Sequence, residues 1–231
     1  MSIPSKPALD ALQRKLGYQF SDPGLLERAL THRSAHPRHN ERLEFLGDAL
    51  VGMVVAAAFY NRFPDADEGV LSRLRASVVS GHALAGLARE FDLSSCLILG
   101  ESERKSGGRN RDSILADTLE ALAGAVVLDA TLHEATRVVS DWFASAVERA
   151  TPDNLVDAKT RLQEWCQARG EALPHYKVLE VTGSDHAQNF RVSCQLSSPR
   201  AVTEAAGSSR RRAEQSAATA MLTKLLGDGC D

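Results

Sequence analysis

Aromatic residues make up only 5% of the 231-residue chain, and its four cysteines (96, 166, 194 and 230) never form a CxxC pair. The scattered cysteines argue against a zinc ribbon and a disulfide scaffold and predict reduced thiols, two of them in cores. An excess of positive charge is also missing. The formal net charge is −3, without the basic whole-chain footprint that most readily marks a nucleic-acid binder. The N-terminus MSIPSKPALDALQRKLGYQF has no apolar stretch ahead of a cleavage site, and the longest apolar-looking run, Ala49 to Tyr60, is shorter than the roughly 18 residues a bilayer span needs. The expectation is a cytoplasmic protein with no membrane segment. Internal repeats and low-complexity tracts are absent. What remains is ample core material: 43% hydrophobic and 25% charged residues, enough for one large domain or a domain plus a small module.

Two kinds of patterning follow one another. From about Ala8 to Arg149, stretches such as LVGMVVAAAFYNRF and DSILADTLEALAGAVVLDA repeat apolar residues at helical spacing, with loops expected at HPRHN, PDADEG and GESERKSGGRNR. This part, residues 1–150, is expected to be all-α and is net acidic. The polar, proline-containing ATPDNLVD places a linker at 151–156. Beyond it the charge balance turns slightly basic and the pattern changes. A helix over about Ala158 to Arg169 precedes HYKVLEVTG and NFRVSCQL, where Phe190, Val192, Cys194 and Leu196 alternate with polar residues as in a half-buried strand. A third strand is expected over Ala201 to Ala205. A last helix has Ser208 or Ser209 as its N-cap and Gly227 as its stop. The fold class is thus an all-α domain followed by a small α+β domain of order α-β-β-β-α over 157–227, with a short tail at 228–231.

The helix NERLEFLGDALVG carries Glu41, Glu44 and Asp48, which at helical spacing fall within an arc of about 60°. A solvated face is one explanation. Leu43, Leu46, Leu50, Met53 and Val54 cover the rest of the helix, however, and leave no broad polar side. The helix around SILADTLEALAGAVVLDA repeats the pattern with Asp117 and Glu120, and both helices are expected to be buried. Like charges in a low-dielectric interior need a cation or bound protons. An oxygen-only donor set favours a hard ion, Mg²⁺ or Mn²⁺, over zinc. Such an ion suits phosphodiester hydrolysis. Glu68, in the expected PDADEG loop, is a further acid that could join. At the other end of the chain GSSRRRAEQ puts Arg210, Arg211 and Arg212 in the first turn of a helix, where the dipole and free N–H groups favour phosphate. Domains that read double-stranded RNA use such a helix end between minor-groove contacts.

NERLEFLGDALV closely resembles the signature of the ribonuclease III family. ALTHRSA, FPDADEGVLSRLRASVVS and SGGRNRDSILADTLEALAGAVVLD follow in the family's order, and KTRLQEW, GSDHAQNF and GSSRRRAEQSAA resemble a double-stranded RNA-binding domain. The resemblance implies an Mg²⁺-dependent endoribonuclease, with Mn²⁺ able to substitute. Its products would carry 5′-phosphate and 3′-hydroxyl ends with short 3′ overhangs, as in the processing of ribosomal precursors and structured transcripts. It implies Glu44, Asp117 and Glu120 as metal ligands, and Asp48 and Glu120 as the acids most sensitive to substitution. Glu41 and Glu68 would lie nearer the RNA and the neighbouring subunit of a homodimer formed through the signature helix. RNA-contacting positions would be Gln163, Gln167, His186, Ser209, Arg210 and Arg211, with Thr160 and Glu164 weaker members of the same face. His32 is assigned a structural role, and Tyr176 and Phe190 a place in the core. Ala205 departs from the family's glycine in the approach to the last helix, which puts the local turn in question. The rival reading is a duplex-binding protein with an inactive nuclease domain; the six intact acidic positions argue against it.

Overall fold

The computed structural model describes residues 4–152, 158–183 and 188–227. Residue contacts divide the chain into two compact units, Met1–Leu155 and Val156–Asp231, and each is described by itself. The expected linker lies largely outside the described residues, as do His186, Cys230 and the tail.

The first unit is helical: α1 (Lys6–Leu16), α2 (Pro23–Leu30), α3 (Glu41–Arg62), α4 (Glu68–Val79), α5 (Gly81–Glu90), α6 (Leu93–Cys96), α7 (Glu101–Lys105), α8 (Asp112–Asp129) and α9 (Leu132–Arg149). Several starts are written in the sequence. Asp22, Asp67, Ser80 and Thr131 each accept a hydrogen bond from a backbone N–H of the first turn they precede, satisfying a group the helix itself cannot. The segment GESERKSGGRNR, expected as a loop, contains α7 and a 3₁₀ turn over Gly108–Asn110.

Helix α8 is the centre of this unit, with Ile114, Leu115, Ala116 and nearly every residue from Thr118 to Val126 buried. Helix α3 differs from expectation. Its inner side packs on α8, yet Phe45, Met53 and Tyr60 are 82%, 50% and 70% exposed along the outer side. By length and composition alone α3 would pass as a bilayer span, as core helices also do; here its inner side buries Leu43, Leu50, Val51, Val54 and Val55.

The second unit comprises α10 (Ala158–Ala168), β1 (His175–Thr182), β2 (Asn189–Leu196), β3 (Ala201–Gly207) and α11 (Arg210–Gly227). The strands form one antiparallel sheet in the order β1-β2-β3. Leu162 and Cys166 of α10, Cys194 and Leu196 of β2, and Ala217, Ala218, Met221 and Leu222 of α11 build its core. Tyr176 packs at the margin of that core, whereas Phe190, expected in the core, is half-buried in β2 between Val181 and Gly207 and outside it. Cys96, Cys166 and Cys194 are all free and buried.

Candidate active site

The chemistry of the first unit depends on how closely α3 and α8 approach. A methyl built on Gly47 would fall 1.7 Å from the Glu120 carbonyl oxygen, and one on Gly124 would overlap the Leu43 carbonyl. Only glycine at both positions lets the two backbones cross in contact. The crossing lies between the acids of each helix: Glu44 and Asp48 flank Gly47, while Asp117 and Glu120 precede Gly124. Sequence reasoning missed these glycines, although an isolated glycine inside a helical pattern is the available signal of close packing.

The crossing brings carboxylate oxygens of Glu44, Asp117 and Glu120 within 4.8 Å of one another, all three residues half-buried. Burial, reinforced by the neighbouring acids, raises the pKa of each. Glu120 is pushed up to about 7 by desolvation first and then by the charges of Asp48, Asp117 and Glu44. Glu44 rises through desolvation, Asp117 and Glu41. Asp117 rises through desolvation, partly offset by His32 and Arg33. Asp48 is exposed, and among the charges around Glu120 it acts most strongly. Three convergent carboxylates that resist ionisation make a site complementary to a hard cation, which would replace the protons.

A cleft of about 440 Å³ opens beside Glu44 and Asp117, walled by His32, Arg33, Ser34, Asn40, Glu41, Glu103, Arg111, Ser113 and Ile114. Glu41 sits on its rim, paired with Arg33 at 3.2 Å. Arg111 pairs with Glu103 at 2.9 Å. His32, assigned a structural role from THRSA, is half-buried and lines this wall of the cleft. Glu68 opens α4 instead of occupying a loop; it is exposed, accepts the Ser72 hydroxyl at 2.7 Å and lies outside this cleft.

In the second unit Gln163, Glu164 and Gln167 are exposed on α10, with Thr160 at its start, opposite the buried Leu162 and Cys166. Ser209 caps α11, accepting from Arg212 N at 3.2 Å. Gly207 is indispensable to this turn, since a methyl there would meet Ala213 N at 2.6 Å. Ala205 lies within β3, half-buried against the core, so its departure from glycine leaves the turn intact. Arg210 is held by the Glu214 carboxylate at 2.8 Å, which also accepts from Lys159 at 2.6 Å. The concave surface at the start of α11 is lined by Gly207, Ser209, Arg211, Arg212, Gln215 and Ser216, which keeps Arg212 of the expected phosphate-favouring turn and adds Gln215, a position that sequence reasoning did not single out.

A helical domain with an all-oxygen acidic cleft, followed by an α-β-β-β-α unit with a basic helix start, defines a two-domain nuclease class directed at RNA duplexes. The Ribonuclease-III-like family matches residues 22–147, and the double-stranded RNA binding motif matches residues 158–225. Two solved structures of the nuclease domain of ribonuclease III from Campylobacter jejuni are similar to the first unit. One, in which the region involved in dimer formation shows structural flexibility, is 37% identical with a TM-score of 0.58 over 59% of this chain and 96% of that one. The other is 35% identical with a TM-score of 0.59 over 62% of this chain and 98% of that one. The chain belongs to the ribonuclease III-like family, as a double-strand-specific endoribonuclease.

Proposed function

We propose that the protein hydrolyses phosphodiester bonds of double-stranded RNA with Mg²⁺, or Mn²⁺ in its place, leaving 5′-phosphate and 3′-hydroxyl ends with a short 3′ overhang. The observation that carries this reading is the convergence of Glu44, Asp117 and Glu120 in a family-matched domain. These three carboxylates would hold the ion, which when bound supplies Lewis-acid polarisation and an activated water. Asp48, the charge that acts most strongly on Glu120, would add negative charge beside the three ligands. Because burial raises the pKa of all three carboxylates, protons compete with the cation for them, so cation binding strengthens as pH rises.

Glu41 on the rim and Glu68 on α4 are proposed to act nearer the RNA and the partner subunit. The outer side of α3 supports a homodimer, since Phe45, Met53 and Tyr60 are exposed along it beside an apolar hollow of about 510 Å³ lined by Leu43, Phe45, Leu46 and Leu128. Two copies joined there would each cut one strand. In the second unit Gln163, Gln167, His186, Ser209, Arg210 and Arg211 are proposed to contact the duplex through sugar and phosphate, which fits processing of structured transcripts and ribosomal precursors by shape.

Cleavage of a labelled RNA duplex by wild type and Glu120→Gln, in Mg²⁺ and then in EDTA or Ca²⁺ with binding measured in parallel, tests the reading. Wild type should cut only with Mg²⁺ or Mn²⁺, and the variant should bind without cutting. A wild type that binds but never cuts with any divalent ion would make it a duplex-binding protein instead.

A further inference from the structure

The wall of the acidic cleft opposite Asp117 is built by the loop that carries His32. That loop is fixed at several points. His32 N donates to Ile98 O at 3.0 Å, Asn40 N donates to Thr31 O at 3.0 Å, and Thr31 forms an isolated bridge with Ile98. Gly100 N donates to the Ser34 hydroxyl at 3.0 Å, an approach open only to glycine because a side chain there would strike the Ser34 carbonyl.

These ties decide the state of the imidazole. Ser34 N donates to His32 Nδ1 at 3.2 Å, so Nδ1 is an acceptor and carries no hydrogen. The Ser34 hydroxyl, already accepting from Gly100, directs its own hydrogen to the same nitrogen at 2.8 Å. Burial lowers the pKa of His32 and favours the neutral ring. The ring hydrogen therefore sits on Nε2 of a residue that lines the cleft, and among the described residues no acceptor bonds to it. The cationic side chains of this wall are otherwise engaged, Arg33 with Glu41 and Arg111 with Glu103.

We propose that His32, as a neutral Nε2–H donor, binds a non-bridging oxygen of an RNA phosphate lying against the carboxylate cluster, with Ser34 as the positioning residue that fixes its tautomer. This rests on the proposed nuclease reading and adds a substrate contact to it. A neutral donor suits this place. It offers a hydrogen bond to phosphate without adding a cation that would compete with the metal for Glu44 and Asp117.

The test uses the full-length protein labelled with ¹⁵N-histidine. Long-range proton–nitrogen spectra of the free protein should show His32 with Nε2 protonated, and adding a short RNA duplex in Ca²⁺, which holds off cleavage, should shift that signal. His32→Ala should slow single-turnover cleavage about tenfold to a hundredfold, the loss expected for one charge-assisted hydrogen bond, while duplex affinity in Ca²⁺ changes less than about threefold. His32→Gln, whose amide nitrogen reaches the Nε2 position, should retain more activity than His32→Asn. Ser34→Ala keeps the backbone donor to Nδ1 but removes the hydroxyl that ties the ring to Gly100, and should keep Nε2 protonated while giving an intermediate rate. An Nδ1-protonated ring, a His32→Ala enzyme as fast as wild type, or Gln and Asn variants equally slow with lowered thermal midpoints would each overturn the proposal. If wild type itself does not cut, the nuclease reading falls, and the duplex-induced shift at Nε2 still decides this one: a shift supports the contact and no shift refutes it.

Discussion

Replacing Gly47 by alanine adds one methyl group at the place where α3 crosses α8. That methyl would lie 1.7 Å from the Glu120 carbonyl oxygen, against at least 3.4 Å for ordinary contact, so the helices must part by a comparable distance or α8 must bend. The neighbour is backbone in a packed interior and cannot swing aside. Overpacking of this kind costs about 1–3 kcal/mol, and the upper end applies here. In a chain of this size that lowers the thermal midpoint by roughly 6–12 °C. The effect on cleavage should be larger than the effect on folding. Glu44 and Asp48 ride on one helix and Asp117 and Glu120 on the other, and a displacement of about 1 Å between reacting groups can cost on the order of a hundredfold in rate. The assay is duplex cleavage in Mg²⁺ at 25 °C, well below the midpoint, together with a circular-dichroism melt. Gly86→Ala is the control, because a methyl there meets nothing within 4 Å, and it should leave cleavage unchanged and stability equal or slightly raised. A Gly47→Ala enzyme with wild-type midpoint and rate would refute the idea that this crossing sets the spacing of the carboxylates.

Three further outcomes follow from the site. The raised pKa values of Glu44, Asp117 and Glu120 mean that folding favours their protonated forms; this contribution is complete below the ordinary carboxylate range and is lost as pH rises towards the value of about 7 for Glu120. The metal-free protein should therefore show a thermal midpoint that falls over that window, with Mg²⁺ restoring more at pH 8 than at pH 5; Glu120→Gln should flatten the fall, and equal slopes in variant and wild type would count against the cluster as its source. Arg211→Ala and Arg212→Ala should each weaken duplex binding and reduce its salt slope by about one, whereas Arg210→Ala, which removes a partner of Glu214, should cost more stability and less slope; the order is read from affinity against salt. Phe45→Asp should convert a dimer to monomer in sedimentation equilibrium, and an unchanged mass would move the interface away from α3.

The acids were legible in the sequence because helical spacing alone aligns Glu41, Glu44 and Asp48, and the second cluster repeats the pattern. Their meeting point was not. Gly47 and Gly124 act through a contact between distant segments, and a glycine inside an apolar helix looks like a local weakness until its partner is known. The exposed side of α3 was misjudged for a related reason: composition gives the apolarity of Phe45, Met53 and Tyr60 but not which side the chain covers. The place of His32 on the cleft wall was not legible, because the pairing of Thr31 with Ile98 that fixes its loop joins segments far apart in sequence. The Arg210–Glu214 pair, by contrast, was readable as an i, i+4 pattern and was obscured by the interest of the triplet. Helix α7 was hidden by a run of polar and glycine residues that composition alone assigns to a loop.

Glu44 and Phe45 are consecutive, one facing the carboxylate cluster and the other facing out. Because Gly47 holds α3 against α8 at one fixed rotation, these two duties share a single helical phase. Inserting or deleting one residue between Glu41 and Gly47 would turn everything on one side of the change by about 100° relative to the other, moving the acids and the exposed aromatic out of place together. This segment can therefore change by substitution, whereas length variation is confined to the connections around it; a library of single-residue insertions along the chain should show its deepest gap in these first two turns of α3.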